Sequence, residues 1–123
     1  MASGANAAAS EARGIMRIYI SGKITGLDNY RDNFARAESV LRSYGHTVIN
    51  PCKMGDIYPD LEWDDYMCLD MALIRLCQAV YFLENWKDSK GSTIEHEYAR
   101  MIGKELLYEG ENGNTRRSAV VSG

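Results

Sequence analysis

Residues 79–83 (Ala-Val-Tyr-Phe-Leu) and residues 87–99 (Lys-Asp-Ser-Lys-Gly-Ser-Thr-Ile-Glu-His-Glu-Tyr-Ala) decide the fold of this chain. The first run is short and apolar, which predicts a buried parallel strand. In the second run, Ile94, Tyr98 and Ala99 fall on one face of a helix. A polar turn therefore joins a strand's carboxyl end to a helix's amino end, where open α/β sheets bind ligands and free N–H groups favour anions.

The same alternation of strand and helix extends through the rest of the chain. Strands are predicted at 16–20, 46–50, 79–83 and 105–108, helices at 29–44, 62–76 and up to about 102, and a loop at 51–61. This order predicts an α/β fold, a small flavodoxin-like or Rossmann-like three-layer sandwich with a parallel sheet of four to five strands. Asp28 is the predicted N-cap of the first helix, and Gly45 and Gly103 are predicted to end helices.

The ends of the chain differ in composition from its centre. Residues 1–14 are rich in Ala, Ser and Gly and are expected to be a disordered leader, and residues 110–123 a disordered tail. Residues 15–109 are then one predicted domain.

The bulk composition is that of a soluble globular protein, with 46% hydrophobic and 25% charged residues. A net charge of −3 argues against binding of a nucleic-acid polymer but not of a small nucleotide. No apolar run approaches the roughly 20 residues that span a membrane, and no secretory signal is recognisable. Membrane association is therefore not expected.

The three cysteines, Cys52, Cys68 and Cys77, lack the spacing of a zinc site. Their odd number and apolar neighbours suggest reduced, partly buried thiols and a cytoplasmic protein. No metal or other cofactor is expected.

Three side chains carry the candidate chemistry: Tyr19, Asp70 and Glu95. Each has an ordinary alternative, because Tyr19 could be a half-buried strand residue, Asp70 could face solvent, and Glu95 could complement the helix dipole. Taken together, a carboxylate nucleophile beside a hydroxyl donor and a second carboxylate suits attack at an anomeric carbon.

The turn Ser21-Gly22-Lys23-Ile24-Thr25-Gly26 follows the first strand. It lacks the spacing of the dinucleotide and phosphate-loop motifs. It nevertheless offers a lysine and two hydroxyls at a strand's carboxyl end.

Residues 18–22 (Ile-Tyr-Ile-Ser-Gly), Asp70, and residues 91–95 (Gly-Ser-Thr-Ile-Glu) with Ala99 resemble the nucleoside 2-deoxyribosyltransferase superfamily. Its deoxynucleoside 5′-monophosphate N-glycosidases and CMP hydrolases are the most similar group, and an uncharacterised phage and bacterial branch looks nearest. The resemblance covers residues 16 to 108. It implies an enzyme in which Glu95 attacks the sugar, Asp70 assists protonation of the base, and Tyr19 positions Glu95.

The same resemblance implies the substrate-binding residues. Gly22 and Gly91 would let backbone approach the ligand, and Ser89 stands where the transferases have an aspartate and the monophosphate hydrolases a serine that contacts phosphate. A hydroxyl and a nearby ammonium favour phosphate, whereas an aspartate repels it, so a 5′-monophosphate is the expected substrate. The predicted binding set is Ser21, Gly22, Lys23, Ser89, Gly91 and Ser92.

Some residues depart from the family pattern. The hydrolases have Ser and Arg where this chain has Lys23 and Thr25, and residues 51–61 match no known pattern. Trp63 and Trp86 could stack on a base, although packing in the core or at the rim is the preferred interpretation. His96 is interpreted as a surface or interface histidine.

Three further functions are kept as alternatives. Base exchange by a deoxyribosyltransferase would use the same residues, and a non-catalytic nucleotide-binding or sensing module would need the pocket but not the bare carboxylate. An FMN-binding scaffold is disfavoured, because the first turn lacks a hydroxyl-rich run. The resemblance also implies a homodimer or larger homo-oligomer.

Overall fold

In a computed structural model of the protein, residues 14–110 are described, together with the backbone of residues 115–117. Four strands form a parallel sheet: β1 (Arg17–Ser21), β2 (Thr47–Ile49), β3 (Ala79–Phe82) and β4 (Glu105–Glu109). A fifth, β5 (Thr115–Arg117), pairs antiparallel with β4. The strand order is β2-β1-β3-β4-β5, so the chain reverses direction across the sheet between β1 and β3.

Four helices connect the strands: α1 (Tyr30–Ser43), α2 (Cys52–Ile57), α3 (Trp63–Arg75) and α4 (Lys90–Met101). A 3-10 turn, Trp86–Asp88, lies between β3 and α4. The helices cover both faces of the sheet, which confirms the predicted α/β sandwich.

The alternation of side chains along β1 and β3 divides the core between the two faces. Ile18 and Ile20 pack with Phe34 and Leu41 of α1. Tyr19 points to the opposite face, where the core includes Ile74 of α3 and Ala99 of α4. Tyr19 of β1 therefore lies beside α3 and α4, the helices that follow β2 and β3.

Within residues 14–110 the observed elements agree with the predicted ones to within about one residue, with two differences. The segment 51–61, predicted as a loop, contains helix α2 (Cys52–Ile57). The N-cap of α1 is Asn29 rather than Asp28, and it makes no side-chain capping hydrogen bond. Gly45 and Gly103, with φ of 92° and 80°, follow the ends of α1 and α4 as predicted.

The predicted terminal segments fall mostly outside the described residues. This applies to residues 1–13 of the leader and to 111–114 and 118–123 of the tail. Residues 115–117 of the predicted tail form β5. None of the described helices combines the length and the hydropathy that a membrane span requires. Cys52 and Cys77 are buried, Cys68 is exposed, and all three are free thiols.

Candidate active site

A cavity of about 870 Å³ opens at the carboxyl ends of β1 and β3. This is the point where the strand order reverses, and open α/β sheets bind their ligands there. Its volume is that of a site for a small organic ligand. Tyr19, Asp70 and Glu95 all line it, so the fold brings together three residues that lie far apart in sequence.

Glu95 lies on the buried face of α4 and is only 5% exposed. Its Oε2 accepts a hydrogen bond from the Tyr19 hydroxyl at 3.1 Å, and its Oε1 accepts one from Ser21 Oγ at 2.7 Å. Glu95 is the sixth residue of α4, and the first turn of this helix holds no acidic residue, so the helix dipole does not account for it. The buried and hydrogen-bonded position of Glu95 instead supports a role in the cavity.

Asp70 reaches the cavity from α3 and interacts with both Glu95 and Tyr19. Burial raises the pKa of Asp70 to about 6, although hydrogen bonding with Glu95 and Tyr19 opposes the rise. Burial, and then the charge of Asp70, raises the pKa of Glu95 well above its usual value, against the hydrogen bonds from Ser21 and Tyr19. Two carboxyl groups that interact in this way titrate as a pair, and the proton that the pair retains can rest on either group.

Tyr19 is fully buried on β1. Burial, with the charges of Glu95 and Asp70, raises the pKa of its phenol well above the ordinary value. Tyr19 is therefore a stable hydrogen-bond donor near neutral pH.

Ser21 and Ser92, both predicted to bind substrate, are almost completely buried. Their hydroxyl oxygens are 2.5 Å apart, and Ser21 also donates to Glu95. Both residues line the cavity. Their polar atoms, however, are directed at each other and at the carboxylate.

The two site glycines have packing neighbours that explain them. A Cβ on Gly22 would lie 2.5 Å from Leu83 Cδ1, and one on Gly91 would lie 3.2 Å from Met67 Sδ. Gly22 therefore permits the close contact between the turn after β1 and the end of β3. The predicted approach of a ligand to these glycines stays a prediction.

Lys23 makes hydrogen bonds that link the loop after β1 to the loop after β3 at the border of the cavity. Its backbone N–H donates to Asn85 Oδ1 at 3.0 Å, and its Nζ donates to the Asp88 carbonyl at 3.2 Å. Ser89 caps α4, since its Oγ accepts from the Ser92 N–H at 3.1 Å. Sequence reasoning missed Asn85, although its position just after a predicted strand was a usable signal.

Other polar and aromatic residues divide between the cavity and the outer part of the protein. Trp63 is at the cavity rim, with Lys90 Nζ 4.7 Å from the centre of its ring. Trp86 instead stacks on His96 at 4.2 Å, and His96 Nε2 is 2.7 Å from the Tyr108 hydroxyl. Neither Trp86 nor His96 lines the cavity.

Two cations lining the cavity, Arg31 and Lys90, were not foreseen. Arg31 of α1 forms a two-bond ion pair with Asp56 of α2, with N–O distances of 2.8 and 3.3 Å. This pair joins the missed helix to α1 at the edge of the site. Among the described residues, no group of three or more His, Cys, Asp or Glu side chains could hold a metal ion.

Residues 16–108 match the family described as Domain of unknown function (DUF4406). The chain belongs to this family. No curated protein matches the chain. The DUF4406 match spans every residue proposed above for the site, from Tyr19 to Glu95.

Two solved structures share the fold of this DUF4406 protein. A 2-deoxyribosyltransferase from Bacillus psychrosaccharolyticus aligns with a TM-score of 0.60 and 22% identity, over 75% of this chain and 70% of that one. A 2-desoxiribosyltransferase from Leishmania mexicana aligns with a TM-score of 0.59 and 20% identity, over 75% of this chain and 62% of that one. The predicted likeness in fold to the nucleoside 2-deoxyribosyltransferase superfamily is confirmed.

Proposed function

We propose that this protein hydrolyses the N-glycosidic bond of a nucleoside 5′-monophosphate through a covalent intermediate on Glu95. The observation that carries the proposal is the buried carboxylate of Glu95, held by Tyr19 and Ser21 and paired with Asp70 in one cavity. Burying a carboxyl group away from water costs stability, and groups buried in this way are concentrated at functional sites. The shared fold with two deoxyribosyltransferases supports chemistry on a nucleoside sugar.

The first step forms a bond between a Glu95 oxygen and the anomeric carbon while the bond from that carbon to the base nitrogen breaks. The electron pair of the broken bond goes to the base, which takes a proton from the Asp70 carboxyl. Tyr19 holds the attacking carboxylate in place through its hydrogen bond. The raised pKa of Asp70, about 6, suits it to deliver a proton near neutral pH.

The second step returns the enzyme to its starting state. Water attacks the anomeric carbon of the sugar ester and gives a proton to the Asp70 carboxylate. The oxygen of the water becomes the sugar hydroxyl, and Glu95 leaves as a carboxylate. Two displacements at one carbon retain its configuration.

The 5′-phosphate preference is supported by the loop residues around the start of α4. Ser89 offers a hydroxyl, Lys23 an ammonium that already bonds to the neighbouring loop, and Gly91 and Ser92 lie in the first turn of the helix. Anions bind favourably at a helix amino end. Two further cations, Arg31 and Lys90, line the same cavity.

Base exchange is the second candidate function, because the two solved structures described above carry the transferase name. In that case a second base, rather than water, would attack the sugar ester. A cytoplasmic homodimer or larger assembly that acts on a free nucleotide completes the proposal. A module that binds a nucleotide without turnover is the remaining alternative.

A chromatographic screen for free base tests the proposal. Purified protein and its Glu95→Ala variant are incubated with ribo- and deoxynucleosides and their 5′-monophosphates, with and without a second base. Base released only from monophosphates, and only by the unaltered protein, is the expected result. A new nucleoside formed only with an acceptor base would establish transfer instead, and tight binding without turnover would establish the binding module.

A further inference from the structure

Two serine hydroxyls form a directed chain that ends on Glu95. Ser21 Oγ donates to Glu95 Oε1 at 2.7 Å, and Ser92 Oγ lies 2.5 Å from Ser21 Oγ. A hydroxyl has a single hydrogen, and Ser21 gives its own to Glu95. When Glu95 is ionised its oxygens can only accept, so the hydrogen between the serines then comes from Ser92 and the chain runs from Ser92 to Ser21 to Glu95.

Both serines are fixed by the elements on which they lie. Ser21 is the last residue of β1 and is 1% exposed, and Ser92 is in the first turn of α4 and is 2% exposed. The N–H of Ser92 is also held by the Ser89 cap at 3.1 Å. Buried hydroxyls fixed on a strand and a helix hold the carboxylate orientation more closely than a mobile loop could.

The chain reaches only one of the two carboxyl groups. Hydrogen bonds donated to a carboxylate stabilise its charged form. Burial acts in the other direction, because Glu95 lies deeper than Asp70 and its charged form is the more costly one. The position of the shared proton therefore depends on two opposing effects, the burial of Glu95 and the hydrogen bonds donated to it.

We propose that the Ser92–Ser21 chain shifts the shared proton away from Glu95 and toward Asp70, so that Glu95 attacks as a carboxylate while Asp70 holds the proton for the leaving base. Ser21 and Ser92 are thus positioning residues, since they act through Glu95. This inference rests on the proposed function, which supplies the need for one charged and one protonated carboxyl group.

Other titratable groups face Glu95 as well. Tyr19 approaches from β1 and Asp70 from α3, and the cavity wall also carries Lys23, Arg31, Asp88 and Lys90. Replacing any of these would change charge or remove a proposed catalytic group. Replacing a serine by alanine leaves the charge and the proposed catalytic groups unchanged. The serine chain can therefore be tested on its own.

The kinetic test uses Ser21→Ala, Ser92→Ala and Ser21→Cys. The control is Thr93→Ala, which removes a neighbouring hydroxyl that donates to the Lys90 carbonyl on the same helix. The pH profiles of kcat and kcat/KM are measured on the nucleotide found in the base-release screen. Ser21→Ala should move the acid limb up by about one pH unit and lower kcat about tenfold, with KM unchanged.

The other variants should give graded effects. Ser92→Ala should shift the limb in the same direction by less, and Ser21→Cys, with a weaker donor, should lie between Ser21→Ala and the unaltered protein. An unmoved limb in Ser21→Ala would overturn the inference. A raised KM with unchanged kcat would also overturn it, because it would assign the serines to substrate binding.

A second readout does not depend on turnover. Carbon-13 NMR of the carboxyl carbons, assigned through Glu95→Gln and Asp70→Asn, reports the charge on each group through a titration from pH 5 to pH 8. In Ser21→Ala or, should that variant not fold, in Ser92→Ala, the Glu95 signal should move toward its protonated shift and the Asp70 signal toward its ionised shift. Unchanged signals would overturn the inference, whereas absent base release with shifted signals would overturn only the proposed function.

Discussion

The hydroxyl of Tyr19 on β1 donates to Oε2 of Glu95 on α4 across 3.1 Å, and 76 positions separate the two residues in sequence. Both side chains are buried. In Tyr19→Phe the carboxylate loses one of its two described donors while the ring still fills its place. We expect kcat for base release to fall about tenfold or more, since hydrogen bonds to charged groups are worth about 1.5–3 kcal/mol.

The matched control is Tyr44→Phe, because Tyr44 is 70% exposed and lies outside the cavity. Steady-state kinetics and thermal unfolding of both variants are compared with the unaltered protein. A Tyr19→Phe variant with normal kcat would remove Tyr19 from the proposed mechanism.

Asp70→Asn should increase stability while it abolishes activity. The folded state keeps the Asp70 proton up to a pKa of about 6, whereas the ordinary pKa of an aspartate is 3.8. The unfolded chain therefore releases this proton first, and stability falls as pH rises between these two values and stays low above them. Removing the ionisable group should raise the free energy of unfolding at pH 8 by about 2–3 kcal/mol, with no gain below about pH 4.

Urea unfolding at pH 4, 6 and 8 measures this difference. Asp64→Asn is the control, because Asp64 is an exposed acid in the first turn of the same helix. This variant should be slightly less stable than the unaltered protein, because it loses a favourable interaction with the helix dipole. If Asp70→Asn destabilises the protein at pH 8, the carboxylate has a structural role instead.

Ser89→Asp should lower the preference of the protein for 5′-monophosphates over free nucleosides. Aspartate is as good an N-cap as serine, so α4 should keep its first turn, but its charge repels phosphate. We expect kcat/KM for the monophosphate to fall at least about tenfold, with that for the free nucleoside unchanged or raised. Ser89→Asn keeps the cap without the charge, so it separates charge from shape. Equal losses in both variants would contradict a phosphate contact.

Gly22→Ala should destabilise the fold. The added Cβ would lie 2.5–2.9 Å from three carbons of Leu83, a fully packed residue, and overpacking of this kind costs about 1–3 kcal/mol. Gly55→Ala is the contrasting variant, because Gly55 lies within α2 and its Cβ would meet no atom within 4 Å. It should be neutral or stabilise by up to about 1 kcal/mol. Chemical unfolding of both variants, and of Gly22→Ala combined with Leu83→Ala, measures the clash.

The alternation of elements could be predicted from sequence because each element has a local signal, and the family resemblance singled out Tyr19, Asp70 and Glu95, which the fold brings to one cavity. Residues 79–83 form a compact apolar run, and Glu95 follows a glycine turn at the start of a helical pattern. Helix α2 could not be predicted in the same way. It is only six residues long, contains Gly55, and lies between Pro51 and Pro59, all of which favour a loop.

Contacts between distant segments were beyond sequence reasoning. Nothing near Ser21 or Ser92 indicates that the two hydroxyls meet, 71 positions apart, beside Glu95. The role of Gly22 against Leu83 likewise depends on the pairing of β1 with β3. Strand β5 is stabilised by its antiparallel pairing with β4, and a short polar segment gives little sign of such a partner.

The lengths of the outer strands have a consequence for behaviour at high concentration. Among the described residues the sheet ends in β2 on one side and β5 on the other, and three residues of each are in the strand. Free backbone groups on long edge strands recruit other chains and lead to aggregation. Because the edge strands are so short, the sheet exposes few free backbone groups to which another strand could add. Concentrated solutions of the folded protein should therefore resist conversion to fibrils.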